Sequence, residues 1–285
     1  MRERVQIQDF NALWAAEVQK RDTPRMTDDG AEQDFWKAFM ARKEGYAPDS
    51  SSRLVVQRLL PLLHEYAVKT ALELGPGWGN YTLDLASVCE RVDCVDISSD
   101  VLDFVMRVGG ERGFFNLLPH HVKWEDFFPE HKVDLVFGYN CFYRQADLRA
   151  CFEKMDQAAE KLCVVGMNTG LAPAWLHELE RAGAEVSWEW KDYIYFINVL
   201  YSMGIDPNVA ILPFEKKTVY SDAAAMVTGE CARLKPGTYD VEKARKILLR
   251  RVCGREDGSF EVVAKLHSAL VWWRPRKPAA RDSAE

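Results

Sequence analysis

Apolar and polar positions change their period at regular intervals through the middle of the chain. Short apolar runs of strand length alternate with segments in which apolar residues recur at helical spacing. The strands are predicted at 70–74, 91–95, 120–124, 133–138 and 161–167. The helices are predicted at 80–89, 99–111, 145–159 and 173–182. This alternation predicts an α/β fold with a doubly wound, mainly parallel sheet.

The chain before this alternation is rich in aromatic residues and charges. Its pattern predicts two short amphipathic helices, Asn11–Lys20 and Ala31–Lys43, with a loop over Asp22–Gly30. Residues 1–50 are too few to form a domain of their own. They are predicted to be a helical flap on a domain formed by residues 51–285.

The chain after the fifth strand departs from simple alternation, and an insertion is predicted at about 188–250. It opens with an aromatic-rich segment, helical from about Asp192. A strand at Asn208–Tyr220 is predicted to break at Pro213. Two helices, at 221–233 and 240–251, precede closing strands at 260–264 and 266–273.

Composition limits the classes of protein that the chain can represent. It has 285 residues, a net charge of −6 and seven cysteines without a C-x-x-C pair. No apolar run approaches the roughly eighteen residues of a membrane helix, and the charged N-terminus has no signal-peptide core. We therefore expect a cytoplasmic protein without a membrane partner. The acidic balance disfavours nucleic acid as a partner, and no residue cluster has metal-ligand spacing.

The densest chemical signal is the segment TALELGPGWGNYTLD, residues 70–84, which joins the first strand to a helix. Gly75, Gly77 and Gly79 alternate in it. A chain that turns this sharply needs positive φ angles, and a ligand lying on the backbone leaves no room for Cβ. The dinucleotide pattern G-x-G-x-x-G would place its third glycine at Asn80, so that pattern fails.

The spacing Glu73-x-Gly75-x-Gly77-x-Gly79 resembles motif I of the class I S-adenosylmethionine (SAM)-dependent methyltransferases. The resemblance covers about residues 53–182. It implies a Rossmann-like fold with a seven-stranded sheet, and methyl transfer from SAM to an O, N, C or S nucleophile, with S-adenosylhomocysteine (SAH) as product. Glu73 would bind the amino group of the cofactor. Gly75, Pro76, Gly77 and Gly79 would make room for its methionine part and ribose.

Asp96 ends the second predicted strand about twenty residues after the glycines, with Ile97 next to it. A carboxylate at this spacing is suited to ribose hydroxyls. The alternative for Asp96 is a helix N-cap, although Ser98 and Ser99 can fill that role. An NAD-dependent enzyme would need the same acid, so Asp96 alone does not choose the cofactor.

Two further segments fall where the resemblance implies contacts with cofactor and substrate. Trp124, Glu125 and Asp126 follow the third predicted strand, where one acid would bind the adenine amino group. The alternative is an exposed acidic loop whose tryptophan packs inward. The fourth strand ends at Tyr139, a further cofactor contact, in the segment VDLVFGYNCFYR of residues 133–144.

Asn140 and Tyr143 are the candidate catalytic residues, because both can orient a substrate nucleophile. The segment Asn140-Cys141-Phe142-Tyr143 lacks the prolines of the Asn-Pro-Pro-Tyr motif, which argues against the nucleic-acid and protein-glutamine methylating classes. Simple aromatic packing is the alternative for its aromatic residues. His120 and His121 are placed at the start of the third strand, away from the ligand edge, where a structural role is expected.

Aromatic residues in the flap and the insertion suggest a cover over the site and a small-molecule substrate. The candidates for this cover are Trp36, Tyr46, Tyr193 and Tyr195, and core packing is the alternative for each. A SAM-binding regulatory protein without activity and an NAD-dependent oxidoreductase remain alternative functions. Aminopropyl transferases share motif I but require an additional acidic pair. The oligomeric state is open, and a homodimer is compatible with the sequence.

Overall fold

The computed structural model describes residues 8–21, 23–43, 45–169, 173–186, 192–250 and 252–276. Its helices are α1 (Phe10–Gln19), α2 (Pro24–Thr27), α3 (Asp29–Met40), α4 (Ser50–Glu65), α5 (Thr82–Val88), α6 (Ser99–Glu111), α7 (Leu148–Ala158), α8 (Ala174–Arg181), α9 (Ile194–Ser202), α10 (Ala223–Cys231) and α11 (Val241–Leu249). Its strands are β1 (Thr70–Leu74), β2 (Arg91–Asp96), β3 (Leu117–His121), β4 (Val133–Tyr139), β5 (Ala159–Thr169), β6 (Asn208–Tyr220), β7 (Cys253–Gly254) and β8 (Phe260–Trp273).

Seven strands form one sheet in the order β3-β2-β1-β4-β5-β8-β6, and the two-residue β7 pairs with β8. The pairings of β1 with β2 and β4, of β2 with β3 and of β4 with β5 are parallel. The predicted α/β fold with a seven-stranded, mainly parallel sheet is confirmed. The strand order reverses between β1 and β4, so a crevice for a ligand is expected beyond the carboxyl ends of these two strands.

The described residues divide into two compact units. The first contains the described parts of Met1–Met167, Tyr193–Ala210 and Ala269–Glu285. Its main core joins the sheet, α7 and two flanking helices, α1 and α9. Fully buried members of this core include Trp14, Leu72, Val136, Phe152, Phe196 and Trp273. The predicted flap of residues 1–50 therefore contributes buried side chains to the core of the first unit.

The second unit contains the described parts of Asn168–Asp192 and Ile211–Ser268 and has its own core. α8, α10 and α11 build this core with the first half of β8. Its buried side chains include Trp175, Leu179, Met226, Leu248 and Val262. The predicted insertion at 188–250 is thus divided, because Tyr193–Ala210 belongs to the first unit, while residues 188–191 lie outside the described residues. That a domain boundary lies at residue 50 stays a prediction.

Three sequence predictions about the strands were wrong. β3 covers 117–121 rather than 120–124, and β6 continues through Pro213 without a break. β8 is one strand rather than two. Both β3 and β6 stand at an end of the strand order, where one side of the strand needs no ladder bonds and proline is tolerated. Edge strands also carry a weaker apolar pattern, which shifts boundaries.

A further difference concerns the loop predicted over Asp22–Gly30, which contains the short helix α2. Pro24 occupies its first helical position, where the missing backbone N–H costs no helical bond. The side chain of Asp28 then caps α3 by accepting from the N–H of Ala31. Two helices consequently follow each other almost without a break in this part of the chain.

Candidate active site

The register of the central strands brings the predicted motif residues to one edge of the sheet. Leu74 pairs with Val95 of β2 and with Gly138 of β4, and Asp96 pairs with His121. The ends of β1, β2 and β4 therefore lie side by side. All site residues described below belong to the first unit.

The glycine turn after β1 adopts the conformation that its sequence predicts. Gly75, Gly77 and Gly79 have φ angles of 61°, 56° and 79°. A Cβ on Gly75 would lie 2.7 Å from the Cβ of Cys141, so the turn and the segment after β4 approach too closely for a side chain. A Cβ on Gly77 would lie 3.8 Å from its nearest neighbour among the described residues, the ring of Trp36. Gly75 is therefore required by packing, whereas Gly77 faces more open space.

Glu73 is the last residue but one of β1, beside this turn, and is 1% exposed. Its Oε2 atom is buried and has no hydrogen-bond partner among the described residues. Burial raises the pKa of Glu73 to about 8. A buried carboxyl oxygen without a donor is costly, and a ligand that brings an ammonium or hydroxyl donor would remove that cost.

Asp96 ends β2, and its carboxylate accepts the N–H of Ser98 at 2.8 Å. Ser98, rather than Asp96, is the N-cap of α6, because its hydroxyl accepts the N–H of Val101. Burial raises the pKa of Asp96 to about 7; the bond from Ser98 opposes the shift and the charge of Glu32 adds to it. The neighbouring Ile97 carbonyl accepts from Gln33 Nε2 at 3.1 Å.

The three residues after β3 form a single 3-10 turn, Trp124–Asp126. Trp124 is buried in the main core, and Lys154 Nζ donates to the carbonyl oxygens of Trp124 and Glu125 at 2.5 and 2.8 Å. Glu125 and Asp126 are exposed. Trp124 packs inward, as one of the two sequence interpretations holds, and a role for either acid at adenine stays a prediction.

The segment after β4 carries the two candidate catalytic residues. Asn140 has a φ of 55°, which is uncommon for a residue with a side chain, and its N–H donates to Gly166 O. Tyr143 lies in a second 3-10 turn, and its hydroxyl donates to the carboxylate of Glu32. Tyr139 is buried against the ring of Tyr81, with centroids 4.9 Å apart. The Tyr139 side chain therefore takes part in aromatic packing with Tyr81.

The helix α3 lies across this edge and supplies a residue that the sequence did not single out. Glu32 is 1% exposed and accepts hydrogen bonds from Arg25, Trp36 and Tyr143. Nothing in the sequence pattern near Glu32 distinguishes it from the other acids of a charged segment. The one available signal is its place on the apolar side of a helix that also carries Trp36.

The predicted cover residues divide into two groups. Trp36 lies next to Gly77, and the hydroxyl of Tyr46 donates to Gly79 O at 3.0 Å. Tyr193 instead precedes the first residue of α9, and Tyr195 packs edge-on against Trp14 with ring centroids 5.6 Å apart. The apolar face of α9 is buried in the main core. Trp36 and Tyr46 thus contact the glycine turn, whereas Tyr195 packs on the core.

The histidines were predicted at the wrong end of β3. His120 and His121 end the strand and lie beside the end of β2, at the ligand edge. His120 Nε2 is 2.6 Å from Asp93 Oδ1, and His121 Nε2 is 2.9 Å from Ile97 O. Both rings are thus engaged with β2 and with the residue that follows it. The error follows from the three-residue shift of the predicted strand.

The residues present fit an adenosine cofactor with a cationic amino end. The glycine turn provides a backbone cradle, Glu73 offers an oxygen without a donor, and Asp96 places a second carboxylate beside it. The described residues contain no group of three or more side chains arranged to hold a metal ion. Across the same residues, no helix has the length and apolar character to cross a membrane.

Comparison with known proteins agrees with this geometry. Residues 71–161 match a sequence family described as a methyltransferase domain. An uncharacterized protein of Haemophilus influenzae is 24% identical over 231 residues, which cover 76% of this chain and 80% of that protein.

Two solved structures share the fold. A putative methyltransferase of Bacillus halodurans is 12% identical with a TM-score of 0.52, covering 78% of this chain and all of its own. Magnesium protoporphyrin IX methyltransferase of Synechocystis, with bound SAH, is 11% identical with a TM-score of 0.51, covering 87% of this chain and all of its own.

The sheet order, the glycine turn and the family match together define a Rossmann-like methyltransferase domain. Residues 71–161 thus match a methyltransferase-domain family, and SAM is the cofactor that this match and the site residues indicate. The dinucleotide-binding motif requires a third glycine at the position of Asn80. The side chain of Asn80 instead forms hydrogen bonds with Asp49.

Proposed function

We propose that this methyltransferase acts on a small molecule and transfers the methyl group directly to an O, N, C or S nucleophile. One observation carries the proposal: the chain's own helix α3 lies over the reaction edge. Gln33 bonds Ile97, Trp36 lies beside Gly77, and Glu32 bonds Tyr143. A polymer substrate would need this edge open along a groove, whereas a small molecule can react beneath such a cover.

The cofactor-binding roles follow from the positions of the acids and glycines. Glu73 would accept hydrogen bonds from the amino group, and Asp96 from the ribose hydroxyls. Gly75, Pro76, Gly77 and Gly79 would form the floor under the methionine part. Ile97, Glu125 and Asp126 would form the adenine side of the site, with the exposed acids as the acceptors for its amino group. The buried rings of Trp124 and Tyr139 would support the cofactor site from the core.

When bound, the cofactor would supply a methyl group attached to a positively charged sulfonium. The leaving group is the neutral thioether SAH, which needs no protonation by an acid. The protein's share is therefore orientation and exclusion of water. Asn140 and Tyr143 stand after β4, where they would hold the substrate nucleophile in line. Burial and the carboxylate of Glu32 raise the pKa of the Tyr143 hydroxyl, so Tyr143 is a hydrogen-bonding group rather than a base.

Charge and fold are compatible with a small substrate. The net charge of −6 disfavours binding to a phosphate backbone. The Synechocystis neighbour is named for magnesium protoporphyrin IX, which is itself a small molecule. The aromatic residues Trp36 and Tyr46 at the glycine turn favour a partly aromatic or apolar substrate.

Transfer of a labelled methyl group from SAM tests this function. Purified protein would be incubated with labelled SAM and, separately, with small-molecule, protein and RNA fractions of cell extract. We expect label in a small-molecule product, and none with the control Gly77→Val, whose side chain fills the space beside Trp36. Label in protein or RNA would overturn the substrate class. SAM binding without transfer to any fraction would favour the regulatory alternative.

A further inference from the structure

Four donors converge on one buried carboxylate at the edge of the proposed site. Arg25 Nε donates to Glu32 Oε2 at 2.8 Å, and Arg25 Nη2 donates to Oε1 at 3.1 Å. Trp36 Nε1 donates to Oε1 at 2.7 Å, and the hydroxyl of Tyr143 donates to the same oxygen. Both carboxylate oxygens are therefore engaged, and the side chain is 1% exposed.

This arrangement excludes a role for Glu32 as a proton acceptor. Burial alone would raise the pKa of Glu32, but hydrogen bonds from Arg25 and Tyr143 outweigh burial and lower it. A carboxylate that is ionised and already bonded to four donors is a weak base. Glu32 must therefore contribute to the site by orienting the side chains that donate hydrogen bonds to it.

The first group that it holds is the phenol of Tyr143. Because the Tyr143 hydroxyl donates its hydrogen bond to Glu32, its orientation is fixed and its oxygen can serve any further partner only as an acceptor. Arg25 Nη2 lies 3.5 Å from that oxygen, at the limit of a hydrogen bond. The phenol oxygen can therefore accept from an N–H or O–H of a substrate positioned after β4.

The second group is the indole of Trp36, which reaches the glycine turn. Its N–H is fixed by Glu32, and the far edge of its ring lies 3.8 Å from the position of a Cβ on Gly77. A single carboxylate thus connects the segment after β4, on the substrate side, with the turn that would hold the cofactor.

We propose that Glu32 is a positioning residue of the methyl-transfer site, which holds Tyr143 as an oriented acceptor for the substrate nucleophile and Trp36 against the cofactor turn. This inference rests on the proposed function for its catalytic meaning. The proposal also implies that the nucleophile of the substrate carries an N–H or O–H, because the Tyr143 oxygen can bind only a hydrogen-bond donor.

The Glu32 contacts are not needed merely to attach α3 to the rest of the first unit. Asp29 on the same helix already binds Arg144 at 2.7 Å and Lys123 at 2.9 Å, and Gln33 bonds Ile97. These contacts attach the helix through residues other than Tyr143. Asp29→Asn is therefore the matched control: it removes an acid from α3 and leaves the Glu32 cluster intact.

The experiment follows two side chains by NMR, in full-length protein labelled at tryptophan indole nitrogens and tyrosine Cζ. Trp36→Phe and Tyr143→Phe assign the two resonances. In Glu32→Gln we expect both resonances to move together in a folded protein, and in Asp29→Asn we expect both to stay. SAH is titrated into each variant by calorimetry, and its affinity should fall about tenfold in Glu32→Gln, equivalent to one lost hydrogen bond.

A second variant keeps the test decisive if Glu32→Gln does not fold. Trp36 and Tyr143 share Glu32 Oε1, so Tyr143→Phe should move the Trp36 indole resonance, whereas Tyr66→Phe, at the residue that follows α4, should not. An unmoved indole resonance in Tyr143→Phe, or equal movement in Asp29→Asn and Glu32→Gln, would overturn the positioning role. Failure of the wild-type protein to bind SAH would instead overturn the proposed function and leave the NMR result standing.

Discussion

At the scale of single residues, the site is dominated by two buried carboxyl groups that hold protons to unusually high pH. Burial raises the pKa of Glu73 to about 8 and that of Asp96 to about 7. Both lie at strand ends where a cofactor with several donors would bind. The same burial that costs stability in the free protein therefore strengthens hydrogen bonds to a ligand.

The stability of the free protein should depend on pH because of these groups. The folded protein keeps both protons above the ordinary values of 4.5 and 3.8, so it binds more protons than the unfolded chain between about pH 4 and pH 8. The free energy of unfolding should then fall as pH rises through this window, by at most about 1.4 kcal/mol per pH unit for each group.

Denaturant unfolding at pH 5 and pH 8 measures this difference. Glu73→Gln should reduce it, because the amide does not titrate, while the exposed control Glu111→Gln should not. An equal pH dependence in wild type and Glu73→Gln would show that Glu73 is ionised in the folded protein throughout the range.

Asp96→Asn should weaken SAH binding by about 1–3 kcal/mol, since ribose hydroxyls would lose a charged acceptor. The control is Asp93→Asn on the same strand, whose carboxylate binds Arg91 and His120. Calorimetry on both variants gives the comparison. If SAH affinity is unchanged in folded Asp96→Asn, Asp96 serves only the turn that leads into α6.

The glycine turn could be predicted from the sequence, because positive φ and close approach demand glycine at fixed spacing. The Glu32 cluster could not be predicted. Glu32 and Tyr143 are 111 residues apart, and their contact depends on where α3 packs. No local spacing encodes that packing.

At the scale of elements, α1 and α3 perform different tasks within one predicted flap. Trp14 of α1 is 1% exposed in the main core, and its indole donates to Gln145 O at 2.6 Å. Trp36 of α3 is only partly buried and faces the glycine turn. The helices were predictable from their periodicity, but which aromatic side chain enters the core was not, because both patterns are amphipathic.

Truncation of each tryptophan separates the two tasks. Trp14→Ala should destabilise the protein by about 3–5 kcal/mol, as expected for a large side chain removed from a core. Trp36→Ala should cost less stability but weaken SAH binding. Thermal unfolding and calorimetry together measure both effects. Equal loss of stability in both variants with unchanged SAH affinity would assign α3 to packing alone.

At the scale of the whole molecule, the chain builds a methyltransferase unit and a second compact unit with its own core. The strand–helix alternation predicted the first, since each element there follows the period of a doubly wound sheet. The second was harder to predict, because its residues come from two separated stretches of the chain.

Met226→Ala tests the second core, in which Met226 is fully buried. We expect a loss of about 2–5 kcal/mol in local stability and faster hydrogen exchange in α8, α10 and α11. Because every site residue named here belongs to the first unit, SAH affinity should stay at its wild-type value. Unchanged exchange in these three helices would contradict a cooperative core there.

The central claim is that the glycine turn and the two carboxyl groups beside it form a SAM site. Calorimetric titration of the purified protein with SAH, and separately with NAD, tests it most directly. We predict a saturable SAH isotherm at one site per chain, no heat from NAD, and loss of the SAH signal in folded Gly77→Val. Binding of NAD without SAH, or an SAH affinity that Gly77→Val leaves unchanged, would contradict the account.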